Sequence, residues 1–233
     1  ASLLIPDQAV VGADDIRFDT PARVQVDAPT RLVIEASAGE AGQVVTRLWS
    51  SQQLKTGQVL KAQHARATIL FGFAPDIQSL PSVFLPDEHL NADQIYKRFP
   101  HGPLFQIITS TTSISQDFLL ATGRIEKPLP GSPHLTAPLA LEGAFQAAVL
   151  HRMLVNGTSA LPFSIEELRF LAPEPQADFS FLTQTKDGTY HLDVDSPTGP
   201  LLRIRGCRII DTGPLKPDVH FPEPQGGRPI CFV

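Results

Sequence analysis

Between residues 30 and 36 apolar and polar side chains partly alternate. Leu32, Ile34 and Ala36 fall on one face, and Arg31, Val33 and Glu35 on the other. This period of two predicts a strand over 30–38. Runs rich in Val, Ile, Leu and Thr at 16–24 and 43–51 predict two more, with a hairpin turn across Gly39 to Gly42. Residues 61–73 predict a fourth strand, with Ala65, Ala67, Ile69 and Phe71 on one face. Residues 75–100 carry Pro, Asp and Asn without a period and predict a connection with one short helix near 92–99. A second strand-rich block follows. Strands are predicted at 104–114 and 117–126 around a Ser115-Gln116 turn, then at 163–171, 177–185, 189–195 and 200–211. Lys186-Asp187-Gly188 is a hairpin signal. Proline clusters at 75–103, 128–138, 173–175, 197–200 and 214–229 punctuate the series, because proline removes a backbone donor and fixes φ.

One segment has a helical period. Residues 138–155 start with Pro138, suited to a first helical turn, and stop before Asn156-Gly157. At 100° per residue Leu139, Leu150 and Met153 lie on one side and Leu141, Phe145 and Ala148 on the other. A helix with almost no polar face must be covered by the strands around it. The predicted class is therefore α+β, with antiparallel sheet wrapped around a long central helix, the hotdog arrangement.

Glu142 and Gln146 are one turn apart and share the sector of Leu139, Leu150 and Met153. A carboxyl among apolar side chains costs free energy unless it has partners or a task. Desolvation favours the neutral form, which a general acid requires, and Gln146 is placed to orient the carboxyl. The structural alternative is a first-turn acid satisfied by solvent and the helix dipole.

Composition narrows the partners. The net charge is -5 with Lys and Arg scattered, so nothing points to nucleic acid or an anionic membrane. No run of about 18 apolar residues predicts a membrane span. Cys207 and Cys231 are too few for a disulfide framework and lack metal-site spacing, which suggests a reducing, cytoplasmic setting.

Leu139-Ala140-Leu141-Glu142-Gly143-Ala144-Phe145-Gln146 resembles the central helix of the second hotdog in dehydratase domains of polyketide and polyunsaturated-fatty-acid synthases. There an acid, usually Asp, precedes a Gln or His by four residues. Tyr96-Lys97-Arg98-Phe99-Pro100-His101-Gly102-Pro103-Leu104-Phe105-Gln106 resembles the segment that opens that hotdog, in its H-G-P-x-F-Q form. Asp15-Ile16-Arg17-Phe18-Asp19-Thr20-Pro21 and Leu161-Pro162-Phe163-Ser164-Ile165-Glu166-Glu167-Leu168 resemble the strands that follow the two central helices. The matches run in order over about residues 10–211.

The resemblance implies a double hotdog. Its parts are a first, incomplete hotdog at 1–75, a linker at 76–100, a second hotdog at 101–212 and an extended tail at 213–233. It implies dehydration of a β-hydroxyacyl thioester, carried on the phosphopantetheine of an acyl carrier protein, to the trans-enoyl thioester. Glu142 and Gln146 would be catalytic, and His101, Gly102, Pro103 and Phe105 would line the substrate site. No metal or redox cofactor is implied. Other synthase domains are the implied partners, and hotdog edges suggest a homodimer. Two departures matter. The acid is Glu rather than Asp. In addition, the catalytic His of an H-x-x-x-G-x-x-x-x-P motif is expected before Ala1, and none of the seven histidines has that context. The chain would then be a hydro-lyase if an upstream His is supplied. The alternatives are a non-catalytic docking or structural module of a synthase, and a product-template-type cyclase, which Gln146 in place of His counts against.

Overall fold

The computed structural model describes residues 5, 8–22, 31–53, 56–73, 75, 90–127, 129, 136–173 and 177–215. Strands β1 (Val10–Phe18), β2 (Leu32–Ala38), β3 (Val44–Gln53) and β4 (Val59–Phe71) come first. Then follow β5 (Leu90–Asn91), helix α1 (Ala92–Tyr96), β6 (Ile108–Ile114) and β7 (Phe118–Arg124). Helix α2 (Pro138–Asn156) precedes β8 (Thr158–Phe170), β9 (Asp178–Lys186), β10 (Thr189–Ser196) and β11 (Gly199–Pro214). All eleven strands form one antiparallel sheet in the order β2-β3-β4-β1-β8-β11-β10-β9-β7-β6-β5. The β1–β8 pairing joins the early strands to the late ones. It requires a close backbone approach, since a Cβ on Gly12 would stand 2.3 Å from the Leu168 carbonyl oxygen.

Helix α2 is where its pattern predicts. Pro138 occupies the first turn, and Gly157, at φ 66°, ends the helix with its N–H on the Met153 carbonyl. No residue from Pro138 to Val155 is exposed. Strands β6 to β11 pack around the helix. Leu139, Ala140, Ala147, Ala148 and Leu150 are at most 1 % accessible, and each fully buried Leu contributes roughly 1.5–3 kcal/mol. Phe145 also meets the ring of Phe18 on β1 edge-on, with centroids 6.1 Å apart.

Several boundaries differ from the sequence reading. The first strand is Val10–Phe18 rather than 16–24, and 23–30 lie outside the described residues. Residues 103–105 form a 3-10 turn rather than the start of a strand, because Pro103 fixes φ and the Phe105 N–H closes on the Gly102 carbonyl at 2.9 Å. Strand β8 starts at Thr158, five residues earlier than expected, and passes through Pro162. A proline is tolerated there because β1 pairs with β8 only over Ser164–Arg169, so the side of Pro162 that faces β1 needs no donor. Within the stretch read as linker, Leu90, Ile95 and Phe99 are buried in the α2 core. The C-terminal tail from 216 lies outside the described residues.

The fit of α2 is tight at one point. The tip of Phe181 on β9 reaches the helix at Gly143, where an added Cβ would stand 2.7 Å from the ring and 2.9 Å from Ile107. Phe181 is 1 % accessible and has no room to retreat. Gly143→Ala is therefore expected to destabilise the fold by about 1–3 kcal/mol despite the better helix propensity of Ala, read as a lowered urea midpoint.

Candidate active site

The site is assembled from α1, the 3-10 turn and the N-terminal part of α2. Asn91 caps α1 with a capping box. Its side chain accepts from the Gln94 N–H at 3.0 Å, and the Gln94 side chain accepts from the Asn91 N–H at 2.9 Å. This short capped helix sets Tyr96 against α2. The Tyr96 hydroxyl donates to Gln146 Oε1 at 2.7 Å and accepts the Ile108 N–H at 2.7 Å. Gln146, 2 % accessible, uses Nε2 twice, donating to the Phe105 carbonyl at 2.7 Å and to Glu142 Oε1 at 2.9 Å. A reversed amide would set its oxygen against the Phe105 carbonyl, so the contacts themselves fix its orientation.

Glu142 Oε1 has a second partner, His101 Nε2, at 2.9 Å. His101 is in turn held by Phe99, whose ring lies 5.4 Å away, and by Gln106, whose Nε2 donates to the His101 carbonyl at 2.9 Å. Its Nδ1 is buried and has no hydrogen-bond partner among the described residues. Both contacts to the carboxyl fall on Oε1. Among the described residues Oε2 has no hydrogen-bond partner.

The Glu142 side chain is 30 % accessible, so it is not the dry carboxyl that its apolar helix face suggests. It sits close to the start of α2, where the His101 loop rather than a strand lies beside it. Burial drives the Tyr96 phenol above its ordinary range, with the nearby Glu142 charge adding to this and the Ile108 N–H opposing it. Tyr96 therefore stays a neutral donor to Gln146.

Glu142, Gln146 and His101, picked out in the sequence, come together. Gly102 and Pro103 shape the 3-10 turn and are exposed. Phe105 enters through its carbonyl, while its side chain is 40 % accessible. The sequence reading missed Tyr96 as a site residue, although it opens the segment quoted for the resemblance. The other histidines lie elsewhere. His64 is buried between the Thr20 carbonyl at 2.8 Å and Ser50 Oγ at 2.7 Å. His151, on the opposite side of α2, donates to the Ser115 carbonyl at 3.0 Å and accepts from the Tyr190 hydroxyl at 3.3 Å. Burial lowers its pKa. His191, on β10, is also shifted down by burial. His89, His134 and His220 lie outside the described residues.

A single antiparallel sheet around a buried helix, with an acid and a glutamine one turn apart facing an H-G-P turn, is a hotdog-like arrangement. The family model "Polyketide synthase dehydratase N-terminal domain" matches residues 77–215, and the chain belongs to that family. The dehydratase domain from the CurF module of curacin polyketide synthase is similar in structure, with a TM-score of 0.74 at 15 % identity over 91 % of this chain and 80 % of that one. A trans-AT polyketide synthase dehydratase domain from Brevibacillus brevis gives 0.69 at 19 % identity, over 89 % and 77 %. An inactive variant of the CurK dehydratase, with an aspartate replaced by asparagine, gives 0.71 at 14 % identity, over 91 % and 80 %. No curated protein matches the sequence. No helix among the described residues is long and apolar enough to cross a membrane.

Two predictions follow from these contacts. Tyr96→Phe removes the hydroxyl that satisfies the fully buried Ile108 N–H and leaves Gln146 Oε1 without its donor, so stability should fall by about 1–3 kcal/mol in urea unfolding. His151 is held neutral, and its depressed folded pKa means that the unfolded chain takes up the proton first. Its contribution to stability is whole above 6.5 and is lost as pH falls through the folded value, so the urea midpoint should decline below 6.5, and less so in His151→Leu.

Proposed function

We propose that this chain is the dehydratase domain of a polyketide or polyunsaturated-fatty-acid synthase, built as a double hotdog with a substrate channel ending at Glu142. The observation that carries the reading is the Glu142 carboxyl, with one oxygen fixed by Gln146 and His101 and the other without a hydrogen-bond partner among the described residues. The substrate is a β-hydroxyacyl thioester on the phosphopantetheine arm of an acyl carrier protein. A histidine base takes the α-proton. The electron pair of that C–H bond forms the new Cα=Cβ bond as the Cβ–O bond breaks. Glu142, entering the cycle protonated, gives its proton to the departing hydroxyl, which leaves as water, and the proton held by the histidine later restores the carboxyl. Products are the trans-enoyl thioester and water, with no metal or redox cofactor in the scheme.

In this scheme Gln146 is a positioning residue, locked by Tyr96 and Phe105, and it keeps the carboxyl aimed at the leaving oxygen. The turn of His101, Gly102, Pro103 and Phe105 forms the wall beside it. Glu in place of Asp moves the carboxyl one methylene outward, within reach of the His101 ring. The inactivity of the CurK Asp-to-Asn variant supports an acid as the working group in this fold. Other synthase domains and a second copy of the chain are the proposed neighbours, and the cytoplasm the proposed location.

A second reading, a non-catalytic docking module, is favoured by the histidine inventory. Among the described histidines only His101 touches Glu142. One assay separates the two. The chain, extended N-terminally to include the H-x-x-x-G-x-x-x-x-P motif that the resemblance implies, is given a β-hydroxyacyl thioester and the enoyl product is followed by mass spectrometry. The dehydratase reading expects turnover that falls about 100- to 10,000-fold in Glu142→Ala. Full turnover in that variant sinks the assignment of the acid, and no turnover in the parent supports the docking module.

A further inference from the structure

A second constellation lies on the sheet face turned away from α2. Ile165 and Cys207 belong to the α2 core, so their neighbours Ser164, Glu166 and Arg208 project from the opposite face. The strand registers align a transverse row there: Arg47 on β3 opposite Arg66 on β4, Arg66 opposite Arg17 on β1, Arg17 opposite Ser164 on β8, and Ser164 opposite Arg208 on β11. Like charges directly opposite one another destabilise a sheet, and here three arginines stand side by side. The row depends on an irregularity. Between Asp14 and Arg17 β1 carries one residue more than β4, and Asp15 takes the left-handed φ of 50°, a backbone state that costs free energy for a residue other than glycine. Without that bulge Arg17 would face Ala65.

The row borders a cavity of about 560 Å³, lined among others by Asp15, Arg17, Arg47, Arg66, Glu166 and Arg208. Arg208 has a carboxylate nearby, Glu166 at 3.9 Å. Arg17, Arg47 and Arg66 are exposed and make no ion pair among the described residues, and Glu35 on β2, opposite Arg47, closes the row at its outer end. The bulge brings these like charges into one row, and an anion held between them would offset their repulsion. The volume is that of a small-molecule site, and the rigid guanidinium fork matches phosphate oxygens two at a time. The chain is acidic overall, at -5, which argues against a general polyanion-binding surface.

We infer that this arginine cradle is a binding site for a small molecule bearing a phosphate or diphosphate group. It is separate from the Glu142 site, on the other face of the sheet.

The test uses inorganic diphosphate as the probe, followed by calorimetry and thermal unfolding against sodium chloride at equal ionic strength. The wild type should bind diphosphate saturably and melt at a higher temperature in its presence. Arg66→Gln removes the central charge of the row. It should melt no lower than wild type without diphosphate, since repulsion is relieved, and should bind diphosphate at least about tenfold more weakly. Arg17→Gln should weaken binding in the same way. The inference is overturned if sodium chloride raises the melting temperature as much as diphosphate does, or if both variants keep wild-type affinity. It is also overturned if a hexaglutamate peptide binds and diphosphate does not.

Discussion

A helix with no exposed residue from Pro138 to Val155 has to be enclosed over nearly its whole length, and that requirement shapes the molecule. Isolated in water α2 would expose Leu, Val, Phe and Met on every side. Strands β6 to β11 remove that surface by curving around it, and β1 extends the cover through Phe18 against Phe145. Gly143 admits the ring of Phe181 on β9, so the position of the helix is set to within the width of a methyl group. Once α2 is fixed in this way, whatever polar groups it carries are held with little freedom.

Those polar groups form a chain of donors and acceptors ending at Glu142. The Ile108 N–H satisfies Tyr96, Tyr96 satisfies Gln146, and Gln146 holds Glu142, to which His101 comes from the other side. Each link joins a different element: β6, α1, α2 and the turn before the 3-10 segment. The carboxyl is therefore oriented by several parts of the fold at once, while its partial exposure keeps it open to a ligand. This arrangement places a connected polar cluster at one end of a mostly apolar core. On the opposite face of the same sheet, the strand registers gather charge instead.

The sequence made α2 readable because period, proline start and Asn-Gly stop all agree over 138–156. The hairpin at Lys186-Asp187-Gly188 was readable for a similar reason, since Asp187 and Gly188 both take positive φ. Glu142 and Gln146 were visible as polar residues on an apolar face. Tyr96 was not, because its role arises from a helix of only five residues docked on α2, a tertiary contact with no local period. The start of β1 was misplaced because Val10–Ala13 are short apolar residues without alternation, and pairing with β4 and β8 decides their state. The start of β8 was placed late because Thr158–Pro162 are held in the sheet by pairing with β11 rather than by a local pattern. The arginine row could not be read at all, since it exists only through the registers of five strands and one bulge.

The account depends most on Glu142 exchanging a proton with oxygen at the β-carbon. Microscopic reversibility allows this to be followed in the hydration direction, with a trans-enoyl thioester in ¹⁸O-water and the N-terminally extended protein. The expected result is ¹⁸O at the β-carbon of the hydroxyacyl product with the native residue, and none above background with Glu142→Gln. Equal rates of label incorporation by the two proteins would contradict it.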